Sequence, residues 1–260
     1  MLVKITAVQS QLGQKLSLEE KIYIFKQKPD FICLPEYCLI DTAAPDFTRV
    51  ALKSKENLQY LKALSAEFSA CLIAGSIVEA EGDSLFNASY IYDNGEELGR
   101  YRKLSPVSGE LERGILPGDK IFTTIIDDIK IGILICADAL NITLFEILGE
   151  REVDIIFIPT TSPYRPGESK SEKHKRDNDI FLKGSRVSMA YVVKTCGVGN
   201  LFGKPRQGRS LITAPWGILK RVDYYSEMSP CILTEILDIA ELRDFRAKKK
   251  TYQTQFVKSQ

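Results

Sequence analysis

Three polar side chains in this sequence each follow strand-like residues, and together their types could run nucleophilic catalysis without histidine. Cys136 closes Ile131-Gly132-Ile133-Leu134-Ile135, an apolar run that reads as a buried strand. Glu36 follows Phe31-Ile32-Cys33-Leu34-Pro35, where the proline cannot continue a ladder and turns the chain out of the sheet. Lys103 ends Tyr101-Arg102-Lys103, beyond a hairpin signalled by Asp93-Asn94-Gly95. A catalytic thiol usually borrows a histidine as its base. The only histidine is His174, inside Lys173-His174-Lys175-Arg176, where neighbouring cations disfavour a further proton on the imidazole. Glu36 would instead take the thiol proton and return it to a leaving amine. Lys103 would hold the thiolate and then the oxyanion, and a nearby ammonium lowers a thiol pKa from its free value of about 8.5. Taken singly, the three residues read as a packing cysteine, a solvated turn carboxylate and a surface lysine. Chemistry in open α/β sheets collects beyond the C-terminal ends of strands, which favours the combined reading.

The elements that must position these groups are short apolar runs rich in β-branched residues. They are 3–9, 31–34, 71–78, 88–92, 121–126, 130–136, 155–159, 191–195, 210–213 and 231–235. Helical patterning lies between several of them, over 17–27, 57–69, 144–148 and 179–189. The first of these helices opens with a capping pair, Ser17 and Glu20. The Asn94-Gly95 turn and a second turn at Asp127-Asp128 add antiparallel pairs to the strand–helix alternation. That mixture predicts two packed mixed sheets flanked by helices. Without repeats or a Gly/Ser linker, residues 1–260 read as a single domain. The longest predicted loop is 160–177, broken by Pro163, Pro166 and Gly167, a length that is uncommon unless functional. Thr161, Ser162 and Tyr164 stand just past a strand, at a pocket rim, and Arg165 on the same loop is a candidate partner for an acidic group.

Composition narrows the remaining classes. A net charge of +1 gives no electrostatic reason to expect nucleic acid or a membrane surface as partner. No apolar run approaches the roughly 18 residues of a transmembrane helix, and the N-terminus enters a strand at once, without the pattern of a signal peptide. The six cysteines show no C-x-x-C spacing, and four of them sit in or beside apolar runs, as reduced cysteines of a cytoplasmic protein do. Dispersed cysteines and one histidine offer no metal-ligand cluster. Gly197-Val198-Gly199-Asn200-Leu201-Phe202-Gly203 lacks the spacing of a dinucleotide-binding turn.

Leu34-Pro35-Glu36, Tyr101-Arg102-Lys103-Leu104 and Ile135-Cys136-Ala137-Asp138 resemble, in order and spacing, the three signature segments of the nitrilase or carbon–nitrogen hydrolase superfamily. The resemblance extends to Ile5-Thr6-Ala7-Val8-Gln9, Leu85-Phe86-Asn87-Ala88, Pro117-Gly118-Asp119, Gly208-Arg209-Ser210-Leu211-Ile212 and Pro215-Trp216-Gly217. It implies a four-layer αββα sandwich that cleaves a non-peptide C–N bond through a Glu-Lys-Cys triad and a thioester acyl-enzyme. Carried over residue by residue, Glu36 is the base, Lys103 the electrostatic stabiliser and Cys136 the nucleophile. The Ala137 N–H joins Lys103 in an oxyanion hole. A further glutamate of the family falls at Glu110 or Glu112, with Glu110 preferred. Thr161 is carried as a substrate-binding residue from its place at the strand end. No metal or organic cofactor is implied, and the resemblance suggests a homodimer or larger homo-oligomer. Ala137-Asp138-Ala139-Leu140-Asn141 departs from amidase-like members in lacking an arginine that would grip a carboxylate, and from nitrile hydrolysers in lacking Trp-Glu. The expected substrate is a small linear amide. Transfer of the acyl group to another acceptor, and a non-catalytic binding role on the same fold, are the alternatives.

Overall fold

The computed structural model describes the backbone of residues 1–258 and the side chains of residues 1–249. Two mixed sheets carry the fold, and each is built around three parallel strands. In the first, Leu2–Gln9, Phe31–Cys33 and Cys71–Ile73 run parallel. Cys231–Asp238 flanks them antiparallel on one side, and Ser84–Asp93 on the other. In the second, Ile129–Ile133, Ile155–Thr160 and Tyr191–Cys196 run parallel, between antiparallel Thr123–Ile126 and Leu211–Ala214.

Alternation along the central strands sorts their side chains into layers. Phe31, Cys33, Ile155 and Phe157 point into one core between the sheets. Ile32 and Leu34 face outward to Ile24, Leu61, Leu64 and Phe68 of the helices Leu18–Gln27 and Ser54–Phe68. Ile156 and Ile158 face outward to Leu144, Phe145 and Leu148 of Ile142–Glu150, and to Phe181. Strands buried on both faces explain why the sequence shows continuous apolar runs there rather than polar alternation. The outcome is the four-layer αββα sandwich.

Several local expectations hold. Ser17 and Glu20 cap the first helix reciprocally, at 3.2 and 2.7 Å. Asn94 and Gly95, and Asp127 and Asp128, all adopt positive φ, as two-residue hairpin turns of opposite twist require. Two expectations need correction. The run 71–78 is not one strand: it breaks at Ala74-Gly75-Ser76 into Cys71–Ile73 and Ile77–Glu81. The stretch 160–177 is a loop only in its first half, because Lys170–Asp177 is helical and continues through a π turn, Asn178–Leu182, into Lys183–Ser188. That helix escapes apolar periodicity because two of its inward residues are Lys173 and Asp177, buried in ion pairs.

Candidate active site

Each of the three candidate groups is delivered by a strand end held in place by its neighbours. Beyond Phe31–Cys33, the Leu34 N–H donates to the Ile73 carbonyl, and the Tyr37 N–H donates to Ser76 Oγ. Gly75 makes this junction possible: it sits at φ +61°, and a Cβ there would come within 2.1 Å of the Pro35 carbonyl oxygen. Lys103 follows Glu96–Arg102; its N–H donates to the Asn87 carbonyl, and its own carbonyl accepts from Gly118 at 2.8 Å. A Cβ on Gly118 would lie 2.4 Å from the Arg102 carbonyl oxygen, which accounts for glycine in Pro117-Gly118-Asp119. Cys136 follows Ile129–Ile133 and begins a short 3-10 turn, Cys136–Leu140, with φ at +47°. A non-glycine residue in that region is strained and is held by its surroundings. Here the holder is Asp138. Its carboxylate accepts from the Ile135 N–H at 2.9 Å, the Ser105 N–H at 2.7 Å and the Tyr101 hydroxyl at 2.8 Å. Asp138 therefore ties the cysteine turn to the segment that carries Lys103.

At the centre is one buried ammonium between two buried carboxylates. Lys103 Nζ donates to Glu36 Oε1 at 2.8 Å and to Glu110 Oε2 at 2.7 Å. Lys103 and Glu36 are each 1% exposed. Asn87 Nδ2 bridges the carboxylates, 2.9 Å from Glu36 Oε1 and 2.9 Å from Glu110 Oε1. The Tyr37 hydroxyl donates to Glu110 Oε1 at 2.5 Å, and the Val107 N–H to Glu110 Oε2 at 2.8 Å. The other Glu36 oxygen accepts from the Thr161 N–H at 2.9 Å and from the Thr161 hydroxyl at 2.5 Å. Cys136 Sγ lies 3.5 Å from the Thr161 carbonyl oxygen, so one residue touches both nucleophile and base candidates.

The charges follow from this packing. Burial pushes the Cys136 thiol up, Glu36 adds to the rise, and Lys103 opposes it without reversing it. The neighbouring ammonium acts to lower the thiol, as expected, but burial and Glu36 outweigh it. Burial acts to lower Lys103, but the Glu36 and Glu110 carboxylates outweigh it and keep the ammonium charged. Burial acts to raise Glu110, and the Lys103 charge and hydrogen bond carry it below the usual carboxylate range. A thiol that must lose its proton during attack, beside a fixed cation and a carboxylate, suits general-base nucleophilic chemistry at a carbonyl.

A cavity of about 490 Å³ opens onto these groups. Glu36, Lys103, Glu110, Cys136, Ala137 and Thr161 all line it. Glu112 is exposed and makes no part of it, so the structure brings Glu110 into the cluster and leaves Glu112 outside. Ser162 and Arg165 reach the cavity, whereas Tyr164 does not line it. His174 stands apart, with its pKa lowered by burial and by Arg221 and Lys170. The glycine-rich stretch 197–203 is a hairpin: Gly199–Leu201 pairs with Lys204–Gln207, which carries Arg206 to the cavity. Among the described residues no group of His, Cys, Asp and Glu could hold a metal ion, and no helix is long and apolar enough to cross a membrane.

Sequence reasoning missed Asn87 and Tyr37 as members of the cluster. An asparagine inside the apolar strand Ser84–Asp93 was the available signal, since a buried amide needs partners.

Two stacked sheets thus bring Glu36, Lys103 and Cys136 to one cavity. The carbon-nitrogen hydrolase family model matches residues 6–247, and the chain belongs to that family. The chain is 26% identical over 205 residues to omega-amidase NIT2 of Homo sapiens, covering 74% of this chain and 71% of the relative. Among solved structures, a carbon-nitrogen hydrolase from Helicobacter pylori superposes with a TM-score of 0.81 at 18% identity, over 95% of this chain and 93% of that one. A glutamate-to-glutamine variant of the amidase from Nesterenkonia sp. AN1 superposes with a TM-score of 0.73 at 15% identity, over 96% of each chain. Its active-site cysteine carries the acetamide moiety of fluoroacetamide.

Proposed function

We propose that the protein is an amidase-type hydrolase of a small amide, with Cys136 as nucleophile, Glu36 as general base and acid, and Lys103 as electrostatic stabiliser. The observation that carries this reading is the single Lys103 ammonium clamped between Glu36 and Glu110 beside a cavity-facing Cys136. Cys136 Sγ attacks the amide carbon as Glu36 takes its proton. The carbonyl π electrons move to oxygen, where Lys103 and the Ala137 N–H hold the oxyanion. Collapse expels the amine, which receives the proton from Glu36 and leaves a thioester on Cys136. Water then attacks the thioester, Glu36 accepts its proton, and the departing thiolate is reprotonated as the acid leaves. Glu110 keeps Lys103 in place, and Thr161 orients the Glu36 carboxylate. The amidase names of the relatives support an amide over a nitrile. The chain acts as one domain, since a single apolar layer joins the two sheets. Its six free cysteines suit a reducing compartment such as the cytoplasm.

The test is ammonia release from a panel of primary amides by wild type and Cys136→Ala, with peptide mass spectrometry of quenched reactions. Turnover confined to wild type, with an acyl adduct on Cys136, is expected. Equal turnover in Cys136→Ala would overturn the reading, and turnover that requires an added amine acceptor would make the protein an acyltransferase.

A further inference from the structure

Beside the cavity lies a second cluster of ionisable groups that the proposed chemistry does not use, and its Arg176, Lys194 and Arg209 line the cavity wall. Its core is Asp177, 1% exposed, with Lys194 Nζ at 3.2 Å, Arg209 Nη2 at 3.6 Å and Arg221 Nη2 at 3.7 Å. Two further pairs lie around it: Lys173 with Glu227 at 2.5 Å, and Arg176 with Glu168. In these pairs five cations face three carboxylates, and Arg165, Lys204 and Arg206 add further positive charge at the cavity wall. The surplus is felt locally. Burial together with Arg209 and Arg165 pushes Arg176 down to about 10.

Arg209 carries the argument. It is 4% exposed, lines the cavity, and its Nε and Nη1 are buried without a hydrogen-bond partner. Arg206 lines the same cavity and also buries an Nε without a partner. Glu36, Glu110 and Cys136 line the same cavity as this guanidinium. Buried guanidinium nitrogens without acceptors are costly, and the planar fork matches carboxylate and phosphate oxygens. The acids that line the cavity are Glu36 and Glu110, and both are bound to Lys103. The stretch after the nucleophile, Ala137-Asp138-Ala139-Leu140-Asn141, holds no cation. The oxygens of an anionic ligand would supply the missing acceptors to the 204–209 segment.

We propose that the acyl chain of the substrate ends in a doubly negative acid, two carboxylates or one phosphate, seated on Arg209 with Arg206 as a second anchor toward Cys136. This rests on the amidase reading only for where the scissile carbonyl sits. Two charges, rather than one, match the two cavity-lining arginines, Arg206 and Arg209, whose guanidinium nitrogens lack acceptors.

Binding to Cys136→Ala by calorimetry tests this without requiring turnover. The probes are pentanamide (neutral), glutaramate (one carboxylate), the monoamide of tricarballylic acid (two carboxylates) and the phosphate ester of hydroxypropanamide. At least one dianion is expected to bind roughly 30-fold or more tighter than pentanamide, with glutaramate between them. The tighter dianion identifies the acid group. Arg209→Gln in the same background is expected to collapse that ratio, and Arg209→Lys to recover part of it. Arg206→Gln, at a less buried position, is expected to narrow it and keeps the test informative should Arg209→Gln fail to fold. Equal affinities across the panel, glutaramate matching or exceeding both dianions, or no measurable binding of either dianion would overturn the proposal. Dianion preference in a protein whose wild type hydrolyses no amide would retire the amidase reading and leave this one standing.

Discussion

Two charge clusters beside one cavity are mirror images. At the first, a single cation, Lys103, is held by two carboxylates at 2.7 and 2.8 Å, with Asn87, Tyr37 and Thr161 filling most remaining oxygen positions. At the second, a single carboxylate, Asp177, faces three cations at 3.2 to 3.7 Å, and guanidinium nitrogens are left without partners. The first is short and almost fully hydrogen-bonded; the second is long and under-neutralised. A site that performs chemistry gains from groups fixed before the substrate arrives. A site that recognises an anion must keep part of its hydrogen-bonding capacity open for it. On the proposed reading, the difference in geometry separates a reaction centre from a recognition centre.

The largest expected effect comes from removing the central residue of each cluster. Lys103→Met leaves two buried carboxylates without their cation and is expected to destabilise the protein by about 3–5 kcal/mol in denaturant titrations. The deficit shrinks as pH falls. Glu110, held below the usual carboxylate range by Lys103, titrates higher without it, and protonation then relieves the repulsion. Asp177→Asn, in the looser cluster, is expected to cost less, about 1–3 kcal/mol, and to be partly rescued by added phosphate. Equal losses, or phosphate rescue of Lys103→Met instead, would break the comparison.

A smaller effect separates the two glutamates that the sequence left open. Glu110→Gln is expected to lower amide kcat by about 10- to 100-fold, because Lys103 loses one of its two anchors. Glu112→Gln, on the surface, should change stability and rate by no more than about 0.5 kcal/mol. Parallel rate and denaturant measurements on the two variants check this, and similar losses in both would remove Glu110 from the cluster's function.

The strands were legible because those buried on both faces write themselves as unbroken apolar runs. Glu36 and Cys136 were legible because each follows such a run, and Lys103 because its polar strand Glu96–Arg102 follows the Asn94-Gly95 turn. The break at Ala74-Gly75-Ser76 was not, since it serves the close passage of Pro35 from a distant segment. The second cluster was largely hidden. Its members come from positions 168 to 227 with no fixed spacing, and the helix bearing Lys173 and Asp177 buries charge rather than an apolar stripe. One clue was present: Lys194 lies inside the strand Tyr191–Cys196, where an ionisable residue needs a buried counter-ion. Asn87 was a similar clue at the first cluster.

The central claim is that Glu36 moves the Cys136 proton rather than merely tuning it. The direct measurement follows thiolate absorbance against pH for wild type and Glu36→Gln, each referenced to its own Cys136→Ala counterpart, alongside ammonia release. Burial and Glu36 raise the thiol, so wild type should ionise Cys136 only above the ordinary thiol range. Glu36→Gln removes one raising charge and should ionise at lower pH, yet lose about 100-fold or more in amide turnover. A variant that ionises more readily and turns amide over as fast as wild type or faster would contradict the account.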